Sequence, residues 1–222
     1  MQKNFPPELS YSALRDVKSE LYPEFQCYTI DSSQSYFLYV EHRHPDHELI
    51  YVTQGKYKAT LNGRELELEP GDALIICPGD NHLDAVHMGL EYHAVNFILC
   101  SELNIGVSSR LLKAGIAASQ QIIKLPPEPF DSLFKDISTE VQSSSPAPKY
   151  ISSQLSAIFW LLVKHIPGEL LSDQMFQEVA GNSFSSQLNR VISANIFTSN
   201  LNVRDLASML GMSPAKLTGL CS

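Results

Sequence analysis

Four residues in two short blocks could bind a metal ion. His42, His44 and Glu48 stand in His42-Arg43-His44-Pro45-Asp46-His47-Glu48, and His82 ends Gly71-Asp72-Ala73-Leu74-Ile75-Ile76-Cys77-Pro78-Gly79-Asp80-Asn81-His82. Three imidazoles and one carboxylate make a ligand set for a divalent transition ion: Zn, Fe, Mn or Ni. An ion with open coordination positions could in turn support catalysis. Residues 42, 44 and 48 share parity, so one face of a single strand is expected to present all three. The remaining histidines carry less: His47 and His87 are expected in loops or facing outward, and His93 sits among apolar strand residues, where a hydrogen-bonded core histidine is the preferred reading over a ligand contact. Tyr36 and His93 are candidates to touch a ligand held by the same four residues, and Tyr51, Tyr92 and Trp160 could stack on a planar one.

The stretch that must position these groups has strand character. Tyr36 to Val40 and Leu49 to Val52 are rich in aromatic and β-branched residues. Lys56 to Leu61 and Arg64 to Leu68 flank Asn62-Gly63, a strong hairpin signal. Leu66 and Leu68 alternate with Glu65, Glu67 and Glu69, which predicts one wet and one buried face. Ala73 to Cys77 and Glu91 to Leu99 add two more strands between Gly/Pro/Asn turns. Many short antiparallel strands predict a barrel or jelly roll. Residues 1–25 are expected to form a polar arm with a short helical stretch near Tyr11 to Leu21.

The two blocks resemble the two motifs of the cupin superfamily. The first, His-x-His, three or four residues, Glu, six residues, Gly, is met by His42, His44, Glu48 and Gly55. The second is met at Gly71, Gly79 and His82, with Cys77 where a proline is common and Val86 where an asparagine is common. The resemblance covers about residues 30–100 and implies the double-stranded β-helix of that superfamily.

Beyond the strands the period changes. Leu133, Phe134, Ile137 and Val141 recur at helical spacing, and so do Ile151, Leu155, Ile158, Phe159, Leu162 and Ile166. Ser143 to Pro148 separates them, giving an αα-hairpin over 130–142 and 150–166. Its apolar face is wider than one hairpin needs, which predicts packing on the barrel or, preferably, a homodimer through these helices. Residues 169–182 are expected to be a linker, followed by a helix over Ser183 to Ala194.

Charge is uneven. The chain carries a net −8, but residues 1–180 hold 13 Lys+Arg and 23 Asp+Glu, whereas residues 181–222 are net +2 through Arg190, Arg204, Lys216 and Asp205. Only the C-terminal piece could face phosphates. There Asn202 is a good N-cap with Asp205 at N3, Gly211 supplies a turn, and Ser213-Pro214 restarts a helix. Leu206, Ala207, Leu210, Met212 and Leu217 suit two helices crossing at that turn, a helix-turn-helix pattern. Ser213 and Lys216 could reach phosphates, with Arg204 a further basic contact; Ala215 and Thr218 could touch base edges.

Leu201 to Leu217 is similar to the first helix-turn-helix of the AraC-type transcriptional regulators. That family orders its parts as a cupin-like sensing domain, dimerising linker helices and two tandem helix-turn-helix subdomains, and the order here is the same. The resemblance implies a cupin-like domain over 1–110, linker and dimerisation helices over 111–182, and part of a DNA-binding domain over 183–222. It implies a small-molecule effector, such as a carbohydrate, that alters the spacing of two DNA-binding domains. Gly219 and Cys221 depart from the family's polar and phenylalanine positions, and the chain ends at Ser222 before a second subdomain, as a fragment or truncated regulator would. The four cysteines lack a paired spacing and no run of 18 apolar residues or signal-peptide pattern is present; a cytoplasmic, non-membrane protein is expected. The expectation is a non-enzymatic regulator. The alternatives are a metal-dependent cupin enzyme, an isomerase or dioxygenase, and a truncated partner that only senses and dimerises.

Overall fold

Among the described residues, nine strands build two antiparallel sheets. They are β1 (Leu21–Ser32), β2 (Phe37–Leu38), β3 (His47–Gln54), β4 (Tyr57–Leu61), β5 (Arg64–Leu68), β6 (Asp72–Ile76), β7 (His82–Val86), β8 (Glu91–Ser101) and β9 (Ile122–Lys124). The larger sheet runs β1-β8-β3-β6-β9 and the smaller β2-β7-β4-β5. The computed structural model describes residues 21–32, 36–101, 109–179, 188, 191–192 and 202–220. The expected helical stretch before residue 21 lies outside the described residues. So does most of the expected helix at 183–194, of which residues 188, 191 and 192 are helical.

The sheets close on a shared interior. Ile50, Val52, Leu74, Ile76, Tyr92 and Ala94 from the larger sheet meet Tyr57, Ala59, Leu61, Leu68 and Val86 from the smaller, all buried. This is a cupin-like β-sandwich. Asn62 and Gly63 both take positive φ in the β4–β5 turn, the backbone a two-residue hairpin of primed type requires. Gly55 (φ +80°) cannot be replaced freely: a Cβ there would lie 2.7 Å from the Gly89 carbonyl oxygen.

Burial differs between the sheets for a physical reason. β6 is apolar throughout Ala73 to Ile76, because its sheet is covered twice. One face meets the smaller sheet. On the other, Leu49, Tyr51, Ile75, Val95, Phe97 and Leu99 pack against two helices, α1 (Pro127–Val141) and α2 (Pro148–Val163). Strands buried on both faces lose the alternating pattern. β7, buried at His82, Asp84 and Val86 and open at Leu83 and Ala85, keeps it.

The wide apolar face of the helical hairpin therefore has a partner within the chain. Phe130, Phe134, Ile137, Ile151, Leu155, Ile158, Phe159 and Leu162 are buried against the larger sheet, so this face does not require the second subunit that its width suggested. Two further expectations change. β1 starts at Leu21, inside the expected arm; Pro23 is tolerated because β1 is an edge strand. Part of the expected linker is also structured: Leu171 is buried in the same core, as is Met175 of α3 (Asp173–Val179).

A second compact unit holds α4 (Val203–Met209) and α5 (Pro214–Leu220). Asn202 caps α4, its side chain accepting from the backbone N–H groups of Arg204 (2.9 Å) and Asp205 (3.2 Å). Gly211 takes φ +66° in the turn, and Ser213 Oγ accepts from the Lys216 N–H at 3.2 Å. Ala207 and Leu217 are buried. The caps and turn are those expected from the sequence.

Candidate metal and ligand site

His42, His44, Glu48 and His82 converge, but not from one strand. Glu48 is on β3, where it shares the inward parity of Ile50 and Val52. His42 forms an isolated bridge to His82 on β7, each N–H donating to the other's carbonyl at 2.9 Å. A bend at Pro45 and Asp46 separates His44 from β3. The shared parity of 42, 44 and 48 therefore does not bring them together; the closing of one sheet on the other does. A second backbone tie, from the Gly79 N–H to the His44 carbonyl at 3.0 Å, holds the two blocks in register.

One ring nitrogen from each of His42, His44 and His82 lies within 4.8 Å of the others. Glu48 Oε2 stands 3.1 Å from His44 Nε2 and 3.3 Å from His82 Nε2. Nδ1 of His42 lies 2.9 Å from the Val40 carbonyl and Nδ1 of His44 2.9 Å from the Asp46 carbonyl. A carbonyl only accepts, so both Nδ1 atoms carry the proton and each Nε2 is left with its lone pair. For His44 that lone pair would face a carboxylate. The arrangement demands positive charge between them, either a second proton on the imidazole or a cation.

The electrostatics agree. The pKa of His44 is raised, first by its hydrogen bond to Glu48. Burial pushes the Glu48 pKa up, yet the hydrogen bonds of His44 and His82 outweigh it and hold the carboxyl at about 2. His82 is fully buried: its Nδ1 has no hydrogen-bond partner, and its Nε2 meets only the carboxylates of Glu48 and Asp84, at 3.3 and 3.9 Å. Buried orphan nitrogens are rare in proteins, and a coordinated ion would use one of them. The donor set thus fits a divalent transition metal on its chemistry, and Glu48 stands at a matching distance from His44 and His82: with metal–ligand bonds of ~2.1 Å, donors sharing an ion stand roughly 3–4 Å apart.

The other candidates lie elsewhere. His93 points to the opposite face of the larger sheet. It stacks on Phe134 at 5.3 Å, and its Nδ1 lies 2.8 Å from the Tyr28 hydroxyl, which donates to the Phe134 carbonyl. Burial lowers its pKa. It shares the helix-facing parity of Val95 and Phe97, so it serves the seam between sheet and helices. Tyr36 is 61% exposed, with its ring against His87. Tyr51 donates to Asp131 Oδ1 on α1 at 2.6 Å, also on the helix side. In the second unit Arg204, Ser213, Ala215, Lys216 and Thr218 are all exposed, with the Thr218 hydroxyl donating to the Pro214 carbonyl at 2.9 Å.

Residues that composition did not single out frame the site. His47 is fully buried rather than outward-facing. It stacks on Phe97 at 5.0 Å, and its Nε2 accepts from the Leu111 N–H at 3.0 Å. Burial, with Arg110 nearby, lowers its pKa to about 3, so it is neutral. Its odd-number parity on β3 was the available signal, since the odd positions face the helices. Arg110 donates to the Pro78 carbonyl and to Asp80 Oδ1, while Asp80 Oδ2 accepts from the Cys77 N–H and from Gln121 Nε2, both at 3.0 Å. Beyond Arg110, the Leu111 carbonyl accepts from the Ser172 N–H at 2.9 Å, and Ser172 Oγ accepts from the Met175 N–H at the start of α3. A continuous set of hydrogen bonds thus runs from the two metal-ligand blocks to the segment preceding α3.

The strands thus form a cupin-like β-sandwich in which His42, His44 and His82 come together. Residues 24–103 match the AraC-like ligand binding domain. No curated protein matches the chain. Solved structures with similarity include a predicted oxalate decarboxylase from Thermotoga maritima, at 20% identity and a TM-score of 0.31, covering 40% of this chain and 74% of that one. A cupin superfamily protein from Desulfitobacterium hafniense aligns at 15% identity and a TM-score of 0.31, over 44% of this chain and 94% of that one. A cupin protein from Bacteroides fragilis aligns at 19% identity and a TM-score of 0.27, over 32% and 61%.

Proposed function

We propose that this protein is a ligand-responsive transcription regulator that senses a small molecule in its β-sandwich. The observation that carries this is the convergence of His42, His44 and His82, with Glu48 beside two of them, inside a domain, residues 24–103, that matches the AraC-like ligand binding domain. In this reading His42, His44, Glu48 and His82 hold a divalent transition metal, which supplies a Lewis-acidic point for an oxygen of the effector. The chain's own residues do the rest. Glu48 offsets the charge, the backbone carbonyls of Val40 and Asp46 fix the His42 and His44 rings, and Ile50, Ile76, Leu61 and Val86 form an apolar wall.

Effector binding reaches the C-terminal side through Leu111, whose N–H donates to His47 Nε2 and whose carbonyl accepts from the Ser172 N–H. The output is DNA binding by α4 and α5, with Ser213 and Lys216 on phosphates and Ala215 and Thr218 at base edges. A homodimer, paired through the polar outer sides of α1 and α2, would set the spacing of two such units. Among the described residues no helix is long and apolar enough to cross a membrane, in keeping with a cytoplasmic regulator. The effector class proposed is a carbohydrate or other small oxygen-rich metabolite. An enzyme reading draws on one observation: His42 is exposed, so a metal there is reachable by substrate.

The test uses the full chain. Its metal content is counted, and the Mn2+- or Zn2+-loaded protein is screened by thermal melting against monosaccharides and small carboxylic acids. Pooled genomic DNA fragments are then selected with and without the responding compound. A raised Tm with compound-dependent enrichment of particular fragments is expected. Turnover of the compound would replace the reading by the enzymatic one, and no melting response with no enriched fragment would overturn it.

A further inference from the structure

We infer that Asp84 is a further ligand of the ion held by His42, His44, Glu48 and His82, so that the barrel offers two carboxylates rather than one. The inference rests on the metal-binding part of the proposed function and adds a residue to it.

The placement follows from the pleat. β7 turns His82, Asp84 and Val86 inward and Leu83 and Ala85 outward. Asp84 thereby sits one inward position past His82, and its Oδ2 lies 3.9 Å from His82 Nε2. Glu48 Oε2 lies 3.3 Å from that same nitrogen. Both separations fall in the range of roughly 3–4 Å expected between donors that share one ion.

Burial makes the carboxylate hard to explain otherwise. Asp84 is only 6% exposed, and its Oδ1 is buried without a hydrogen-bond partner. The Tyr57 hydroxyl hydrogen-bonds the side chain, and no Lys or Arg side chain is paired with it among the described residues. A buried carboxylate lacking a cation is costly. An ion beside His82 would supply the missing charge, and Tyr57 would then orient the ligand as outer hydrogen-bond partners of metal ligands do.

Two consequences follow. Two carboxylates with three neutral imidazoles balance the charge of a divalent ion and favour an oxygen-preferring one such as Mn2+ over Zn2+. In a six-coordinate ion five protein donors leave a single position, so the effector would bind through one oxygen. That suits recognition of a hydroxyl or a singly bound carboxylate, and it disfavours a chelating substrate.

The experiment titrates Mn2+, followed by the electron paramagnetic resonance of the free ion, and Zn2+, by competition with a chromophoric chelator. The unmodified chain, Asp84→Asn and His82→Ala are compared. Asp84→Asn keeps the shape of the side chain and an acceptor for Tyr57. We expect it to weaken Mn2+ at least tenfold and Zn2+ by a clearly smaller factor, whereas His82→Ala weakens both strongly. A Mn2+ change within about twofold, or equal losses for the two ions, overturns the inference while His82→Ala still upholds the metal site. If the unmodified chain binds neither ion, the metal reading and this inference fall together. Should Asp84→Asn not fold, anomalous diffraction from Mn2+-soaked crystals of the unmodified chain decides: an Asp84 oxygen in the ion's coordination sphere supports the inference, and one outside it overturns it.

Discussion

Phe134 tests whether the helical hairpin belongs to the core of its own chain or to an interface between two chains. Its side chain is fully buried, stacked on Tyr51 at 4.9 Å and on His93 at 5.3 Å. Phe134→Ala removes a ring from a packed seam, which costs about 3–5 kcal/mol. The stacking on Tyr51 and on His93 makes up part of that cost, at about 0.5–1.5 kcal/mol for each ring. With a urea m-value of about 2 kcal/mol per M, the unfolding midpoint should fall by roughly 2 M. Trp160, the single tryptophan, packs edge-on to Phe159 at 5.0 Å on α2 and reports the transition by fluorescence. Run at two protein concentrations 30-fold apart, the loss caused by Phe134→Ala should be the same at both. If the hairpin's apolar face were a dimer interface, mass action would shift stability by about 2 kcal/mol over that range. A concentration-dependent wild-type midpoint, together with a loss of less than about 1 kcal/mol in Phe134→Ala, would refute the packing argument.

Three other outcomes follow from the same structure. His47 has a folded pKa of about 3, so its contribution is fully present above pH 6.5 and is lost as pH falls from 6.5 towards 3. At pH 5 the loss amounts to about 2 kcal/mol; His47→Gln, which keeps an acceptor for the Leu111 N–H, should flatten that part of the urea-midpoint profile, and identical profiles would contradict it. Gly55→Ala, with φ +80° and a carbonyl oxygen 2.7 Å from the new Cβ, should cost more than about 2 kcal/mol in the same unfolding assay; a neutral effect would mean that the turn relaxes freely. Lys216→Ala should weaken binding to any DNA fragment the chain selects and lower the salt slope by about 0.9, leaving Mn2+ affinity unchanged. A change in fragment preference instead would place Lys216 on bases rather than phosphates.

The legibility of the chain depended on how far each feature rests on local chemistry. The hairpin at Asn62-Gly63, the caps at Asn202 and Ser213 and the positive-φ turn at Gly211 are decided by a few neighbouring residues, and the structure has them where the sequence pattern puts them. The gathering of His42, His44, Glu48 and His82 was legible as a set, because the residue types announce their chemistry. Its geometry was not: parity along one strand suggested the mechanism of convergence, whereas sheet closure provides it. Long-range packing escaped for the same reason. β9 is three residues long, too short for a periodic signal. His93 is the hydrogen-bonded core histidine that its apolar neighbours suggested, but that its partners are Tyr28 and the helix residue Phe134 was readable only once the helices were known to cover that face. Asp84 was hidden by its neighbours. An acidic residue between Leu83 and Ala85 reads as a solvated position until β7's inward face is fixed by His82 and Val86.

The double covering of the larger sheet bears directly on function. Odd positions of β3 belong to the seam with the helices and even positions to the barrel interior, so Glu48 and His47 are neighbours in sequence that report to opposite compartments. Glu48 faces the imidazoles of the cluster, while His47 holds the Leu111 N–H. A shift of β3 that tightens the packing around Glu48 must displace His47 against Phe97 and Leu111, because close-packed side chains cannot absorb it silently. Leu111 is in turn bonded to Ser172, whose hydroxyl accepts from the first turn of α3. For such a chain to carry a signal, the effector must bind two arrangements of it with different affinity. His47 is the group through which such a shift would pass, since its Nε2 holds the Leu111 N–H and its ring stacks on Phe97.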